Sequence, residues 1–321
     1  MSTLLQSIDK FIENITVTDR QEDNIDVSFN NLKNSLMKDD SNLNVKDVFL
    51  NGSYERDTII RPLDDIDLFA IIDYADYSPN GWSDPNPQSV LTKFKNYLNS
   101  LNNYKDKVKQ DRPCVTVVLS DKNFDVLPSL RKNGALYIPN SELDGWIFTN
   151  PKSHTDRLNQ VNRDKNYKVK LVVKAVKQWK RDNDQNIPSF HIEEIAINIF
   201  EIYDIVNLEV GIRLWFEYAE IYLNKERFKS YDAYSTALNK INKVKTKLQE
   251  AKRLIEAKKE GQAKKIWKEI FGKEFPVIDE QEAKTFSESL SKGCLKHSVT
   301  TGLSTSVGTT IAASKGFYGD I

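Results

Sequence analysis

Gly52-Ser53-Tyr54-Glu55-Arg56-Asp57-Thr58 is followed, with eleven residues between Ser53 and Asp65, by Asp65-Ile66-Asp67-Leu68-Phe69-Ala70-Ile71-Ile72. The second stretch is a β-rich apolar run of strand length. Residues two apart on a strand share a side, so Asp65 and Asp67 project together while Ile66 and Leu68 face the other way. Two carboxylates held about 7 Å apart by the backbone rise repel each other unless a cation lies between them. Hard oxygen ligands of this kind suit magnesium or manganese.

A third carboxylate, Asp125, lies in Asn123-Phe124-Asp125-Val126-Leu127, where an acid among apolar neighbours is unfavourable without a partner. If this run lies beside the Asp65 strand, the three acids converge. Two-metal phosphoryl transfer needs such a trio, with one ion lowering the pKa of the attacking hydroxyl and the other holding the triphosphate and leaving oxygen. On this reading Asp65, Asp67 and Asp125 are catalytic and hold two ions, Mg²⁺ or Mn²⁺, with Asp125 on the hydroxyl side. Gly52 lets the backbone approach a phosphate, and the Ser53 hydroxyl with neighbouring amides can hold the β- and γ-phosphates. Arg56 and Arg61 add positive charge. Alone, a Gly-Ser is a turn and an Asp-x-Asp pair is a common surface feature; the weight rests on the joint arrangement.

Working outward, Leu4 to about Lys38 reads as helical, with Leu5, Ile8, Phe11, Ile12 and Ile15 on one face and a second helix following Asp19. Asp73 to Gln88, rich in Pro, Gly, Asn and Ser, reads as a loop, and Val90 to Leu101 as a helix. Val115 to Leu119 and Asn123 to Leu127 form a hairpin around Ser120-Asp121-Lys122, with Pro128 closing the second run. From Pro151 onward the patterns are helical. In the last of them Ile241, Val244, Leu248, Ala251, Leu254 and Ile255 make an apolar stripe. The expected organisation is α+β: N-terminal helices and a mixed-sheet lobe over 1–145, a helical lobe over 146–286, and a Ser/Thr/Gly-rich tail over 287–321.

With 321 residues the chain is long enough for two fused subdomains. Its two cysteines and three histidines are scattered, so no zinc-ligand spacing exists. No secretory signal and no window near the roughly 18 apolar residues of a membrane span is visible, which predicts a cytoplasmic protein. The 46 basic and 46 acidic residues balance, which argues against a permanent nucleic-acid coat. Leu223 to Lys268 nevertheless holds fourteen Lys or Arg against five Asp or Glu, either a solvated helical face or a surface for an anionic partner. Phe317 and Tyr318, near the end of the tail, make it a candidate contact for a regulatory protein.

Gly52-Ser53-x11-Asp65-Ile66-Asp67-Leu68 resembles the motif of the DNA polymerase β-like nucleotidyltransferase superfamily. Gly52 to Thr58 with Asp64-Asp65-Ile66-Asp67 is similar to its cGAS/DncV-like branch, the CD-NTases of bacterial CBASS anti-phage systems. The resemblance continues through Phe124 to Pro128, Trp146 with Thr149-Asn150-Pro151, Leu171 to Trp179, and Ser189-Phe190-His191-Ile192-Glu193, covering roughly residues 45–205. It implies that Gly52, Ser53, Arg56, Lys177 and Ser189 meet the nucleotide, with Lys177 and Ser189 on the triphosphate and Phe190 where a ring stacks on a base. It also implies ribonucleoside triphosphates as substrates, a cyclic di- or trinucleotide product, and a cleft site between the lobes. The absent Cys/His cluster speaks against DNA-triggered activation. Template-independent synthesis of linear oligonucleotides, a nucleotide-binding regulator without catalysis, and a helical interaction protein using the Ile241 to Ile255 stripe remain as alternatives.

Overall fold

Thr3 opens the first helix through a reciprocal cap, its hydroxyl accepting the Gln6 N–H at 3.2 Å while the Gln6 side chain accepts the Thr3 N–H at 2.7 Å. The computed structural model describes residues 3–276 apart from Asp64 and Arg112, together with the backbone of 296–298 and 302–304. Helix α1 (Leu4–Ile15) and helix α2 (Asp19–Leu36) lie where the apolar spacing puts them. They serve different cores. Phe11 and Ile15 of α1 pack among helices of the C-terminal half, whereas Ile25, Leu32 and Leu36 of α2 pack against the sheet.

Strand β1 (Val45–Leu50) leads through the single turn α3 (Gly52–Glu55) to β2 (Ile66–Asp73). The region expected to be loop contains one helical turn, α4 (Tyr74–Tyr77), and α5 (Pro87–Ser100) starts three residues before Val90. Asn86 caps it by accepting the Ser89 N–H at 2.9 Å, with Pro87 filling the first position. Then come β3 (Val108–Asp111), β4 (Cys114–Val118), β5 (Asn123–Lys132), β6 (Ala135–Pro139) and β7 (Trp146–Thr149).

The sheet runs β1-β2-β5-β4-β3, with β6 on β5 and β7 on β6. It is mixed because β2 and β5 pair in parallel while the remaining pairs are antiparallel. The hairpin around residues 120–122 forms, but Pro128 does not end β5. Pairing with β4 reaches Val126 and pairing with β6 starts at Leu130, so Pro128 sits where one flank of β5 is open and a missing N–H is tolerated. The sheet passes residue 145, because β7 pairs with β6 through Thr149.

Among the described residues six α-helices follow: α6 (Pro151–Asp164), α7 (Val169–Asp182), α8 (Ser189–Phe200), α9 (Leu208–Tyr222), α10 (Tyr231–Glu256) and α11 (Glu260–Phe271). In α10, Ile241, Val244, Leu248 and Ala251 are buried, and Leu254 and Ile255 pack against the same core. The stripe is therefore spent inside the fold, which removes the support for an interaction helix. No helix among the described residues is long and apolar enough to cross a membrane. The tail expectation for 287–321, with Phe317 and Tyr318, lies outside the described residues, save the backbone of two paired strands, β8 (Lys296–Ser298) and β9 (Gly302–Ser304).

Candidate active site

Register brings the acids together. Asp67 and Asp125 occupy the same rung of the parallel β2–β5 ladder, and Thr116 stands opposite Asp125 on the β4 side. Ile66 and Leu68 are fully buried beneath β2, as alternation requires, while Asp67 is half-buried and Asp65, just before the strand, is exposed. Asp64, part of the same motif, lies outside the described residues.

Burial, then the charge of Asp125, pushes the Asp67 carboxyl up to about 6, although Arg56 and Lys177 act in the opposite sense. Asp125 is also raised, first by burial, against the Thr116 hydroxyl that donates to its Oδ1 at 2.6 Å. Asn123 donates to Asp65 Oδ1 at 2.8 Å. Among the described residues no three carboxylates or imidazoles are gathered into a ready cage for an ion. The donor set still fits a hard divalent cation: three carboxylates, two on neighbouring strands and one just before them, two oriented by neutral donors and one raised by burial and by the adjacent Asp125 charge.

Gly52 touches this group directly. Its φ is +72°, and a Cβ placed there would lie 1.8 Å from Asp67 Oδ2, so both the left-handed backbone and the close approach demand glycine. Ser53 follows on α3. It lines a cavity of about 180 Å³ together with Ile59 and Ile60, facing Lys177, Lys180, Arg181 and Ser189 of the helical lobe. A larger and more open depression of about 640 Å³ lies at the α10–α11 turn around Lys258 and Lys259 and contains none of the expected site residues.

The expected nucleotide contacts are placed as follows. Ser189 starts α8, and its hydroxyl accepts from Lys180 Nζ at 3.0 Å. Phe190 is 41% exposed, its ring 4.1 Å from that of His154 and 5.8 Å from the Arg56 guanidinium carbon, so it is no core aromatic. Arg56 and Lys177 are buried and bound to one carboxylate, Glu193: Arg56 Nε donates to Oε2 at 2.7 Å and Lys177 Nζ to Oε1 at 2.8 Å. Arg61 belongs elsewhere. Its Nη2 donates to the carbonyls of Glu13 and Asn14 at 2.9 and 2.6 Å, closing the end of α1 instead of adding charge to the site.

Residues 55–61 fasten the lobes together. Thr155 donates to Glu55, Lys174 pairs with Asp57 at 2.7 Å, and Arg181 donates to the Arg61 carbonyl. Sequence reading assigned no role to Thr116, Asn123, Thr58 or Glu193. For Thr116 a signal existed, a hydroxyl inside the run Val115-Thr116-Val117-Val118. His191 is buried, its Nε2 accepting the Asn224 N–H at 3.0 Å, so its Nδ1 donates to Glu194 at 2.8 Å in the neutral tautomer.

With this geometry in hand, comparison with known proteins is direct. Residues 1–162 match the family model described as Second Messenger Oligonucleotide or Dinucleotide Synthetase domain. A cyclic AMP-AMP-AMP synthase from an Acinetobacter species is 32% identical over 144 residues, 42% of this chain and 39% of that enzyme. A probable cyclic nucleotide synthase from Bacillus cereus is 25% identical over 327 residues, covering 86% of this chain and 98% of that protein. The fold is similar to that of Escherichia coli CdnC with ATP, at a TM-score of 0.69 and 18% identity over 85% of this chain and 98% of that one. CdnC has a like score, 0.67, in its complex with HORMA-deltaN, where identity is 18% and the shares covered are again 85% and 98%. The α+β architecture, the acids on neighbouring strands and the matched model converge: this chain belongs to the Second Messenger Oligonucleotide or Dinucleotide Synthetase family.

Proposed function

We propose that the chain joins ribonucleoside triphosphates into a cyclic di- or trinucleotide second messenger, with release of pyrophosphate, in anti-phage signalling. The observation that carries this reading is the shared rung of Asp67 and Asp125, with Gly52 against Asp67 and Ser53 opening into a cavity faced by Lys177 and Ser189. Two divalent ions, Mg²⁺ or Mn²⁺, held by Asp65, Asp67 and Asp125, would lower the pKa of the attacking hydroxyl and neutralise the leaving pyrophosphate.

Ser53, Arg56, Lys177 and Ser189 bind the triphosphate from both lobes, and Phe190 stacks on a base. Asp125 faces the acceptor ribose hydroxyl and takes up its proton as the oxygen bonds the α-phosphorus, while the α–β anhydride bond breaks and its electrons leave with pyrophosphate. The linear product still carries a 5′-triphosphate. Turned over in the same cleft, it presents that group to the same acids, and a second transfer closes the ring. A regulatory protein partner is part of this proposal, supported by the HORMA complex of the similar E. coli protein. Pyrophosphate release from mixed ribonucleoside triphosphates tests the reaction: the wild-type chain should release it in magnesium or manganese, and Asp67→Asn should not.

A further inference from the structure

Glu193 is 1% exposed at its side chain, and every bond to it comes from a group near the triphosphate cavity or the lobe boundary. Oε1 accepts from Thr58 Oγ1 at 2.6 Å and from Lys177 Nζ at 2.8 Å. Oε2 accepts from Arg56 Nε at 2.7 Å and lies 3.0 Å from His154 Nε2. Thr58 and Arg56 follow the Gly52-Ser53 turn, while His154, Lys177 and Glu193 stand on α6, α7 and α8. One carboxylate therefore ties the nucleotide-facing loop of the sheet lobe to three helices of the other lobe.

Stability alone does not explain this choice. Burying a carboxylate with its cations is no more stabilising than apolar packing of the same volume, so a purely structural clasp has no need of charge. The two cations held here are those that face the site. Lys177 lines the cavity with Ser53 and Ser189, and the charges of Lys177 and Arg56 both act on Asp67. Glu193 also leaves donors over. A lysine ammonium has three N–H groups, of which Thr58 and Glu193 take two, and the contact with Arg56 uses Nε without consuming the Nη edge of its fork.

We propose that Glu193 is a positioning residue for triphosphate recognition: it fixes Arg56 of the sheet lobe and Lys177 of the helical lobe as one cation pair aimed at the β- and γ-phosphates. The inference rests on the nucleotidyltransferase reading above. The charges are mutually supporting. Burial pushes the Lys177 ammonium below its ordinary value, and Glu193 is the first influence opposing that fall. Burial alone would raise the Glu193 carboxyl, but the His154 hydrogen bond and the Lys177 and Arg56 charges hold it well below the usual carboxylate range. Glutamine at this position would keep the shape, lose the charge, and turn an N–H₂ toward donors.

The test separates phosphate recognition from general damage. Full-length wild type and Glu193→Gln are titrated without turnover, using the α,β-methylene analogues of ATP and GTP by calorimetry and the matching nucleosides by saturation-transfer NMR. Glu193→Gln should weaken triphosphate binding at least tenfold while nucleoside binding stays within twofold, because only the phosphates meet the cation pair. Equal loss for triphosphate and nucleoside, or no loss for either, would overturn the proposal. If Glu193→Gln fails to fold, Glu193→Asp, which keeps the charge and shortens the reach, takes its place under the same criteria. Wild-type protein that binds neither analogue would defeat the underlying nucleotidyltransferase reading, an outcome distinct from normal wild-type binding with an unaffected variant.

Discussion

Asp67 and Asp125 face one another across a single rung of the parallel β2–β5 ladder, so two like charges lie side by side in a partly buried strand pair. Burial and that neighbour push Asp67 up to about 6. Because the folded value lies above the unfolded one, the protonated form favours folding, and its contribution is full below about pH 4 and lost as pH rises through about 6. Without metal, the ionised Asp67 is therefore destabilising at neutral pH by about 1–3 kcal/mol.

Asp67→Asn should consequently split stability from activity. In EDTA at pH 7.5 the variant should melt about 2–6 °C above wild type, and the gap should close toward pH 4. Pyrophosphate release should fall by more than about a hundredfold, since losing a metal ligand exceeds the effect of losing its support. Adding Mn²⁺ should raise the wild-type melting temperature and leave the variant nearly unmoved. A variant that melts below wild type in EDTA would contradict the charge crowding.

Gly52→Ala places a methyl group 1.8 Å from Asp67 Oδ2 and forces a side chain onto a φ of +72°. The left-handed backbone alone costs about 1–2 kcal/mol, and Asp67 must also move. Turnover should drop to background with a melting temperature several degrees lower. Normal turnover would show that the close approach is not part of the working site.

Thr116→Val keeps the shape of a buried residue but removes the hydroxyl that donates to Asp125 Oδ1 at 2.6 Å. Mn²⁺ affinity, measured by calorimetry, should fall about 10–100-fold, as when an orienting partner of a metal ligand is lost. Thr116→Ser should retain most of it. Equal affinity in all three proteins would remove Thr116 from the site.

Phe190→Ala tests base stacking. The ring is 41% exposed, so its loss should shift the melting temperature by little. Stacking of about 1–3 kcal/mol corresponds to a KM increase of roughly 5- to 160-fold for the preferred triphosphate. Phe190→Tyr should restore KM, and an unchanged KM in Phe190→Ala would argue that the ring serves only His154.

How much of this was legible depended on the range of the cause. The Asp65–Asp67 alternation is local, and the strand follows from it; Asp125 could be tied to them only through strand pairing, which the register supplies. Pro128 misled because its missing N–H matters only if a neighbour needs it, and the sheet leaves one flank of β5 open there. Phe11 and Ile15 looked like part of the N-terminal lobe, but both lie in the core of the helical lobe, where Phe11 meets Phe271 and Phe275 some 260 residues away in sequence. Glu193 was visible only as a letter beside Ser189 and Phe190. Its meaning comes from Arg56, Thr58, His154 and Lys177 converging on it from three separate segments.

The central claim, that these acids close a ring, is tested most directly by the product. Purified protein is incubated with Mg²⁺ or Mn²⁺ and all four labelled ribonucleoside triphosphates, treated with phosphatase, and analysed by mass spectrometry. Catalysis by positioning needs the acceptor hydroxyl within about 3–3.5 Å of the α-phosphorus, and the same cleft must accept the linear intermediate for the second transfer. The account predicts a phosphatase-resistant species with the mass of a cyclic di- or trinucleotide, lost in Asp67→Asn. Exclusively linear products, losing their terminal phosphates to the phosphatase with either metal, would contradict it.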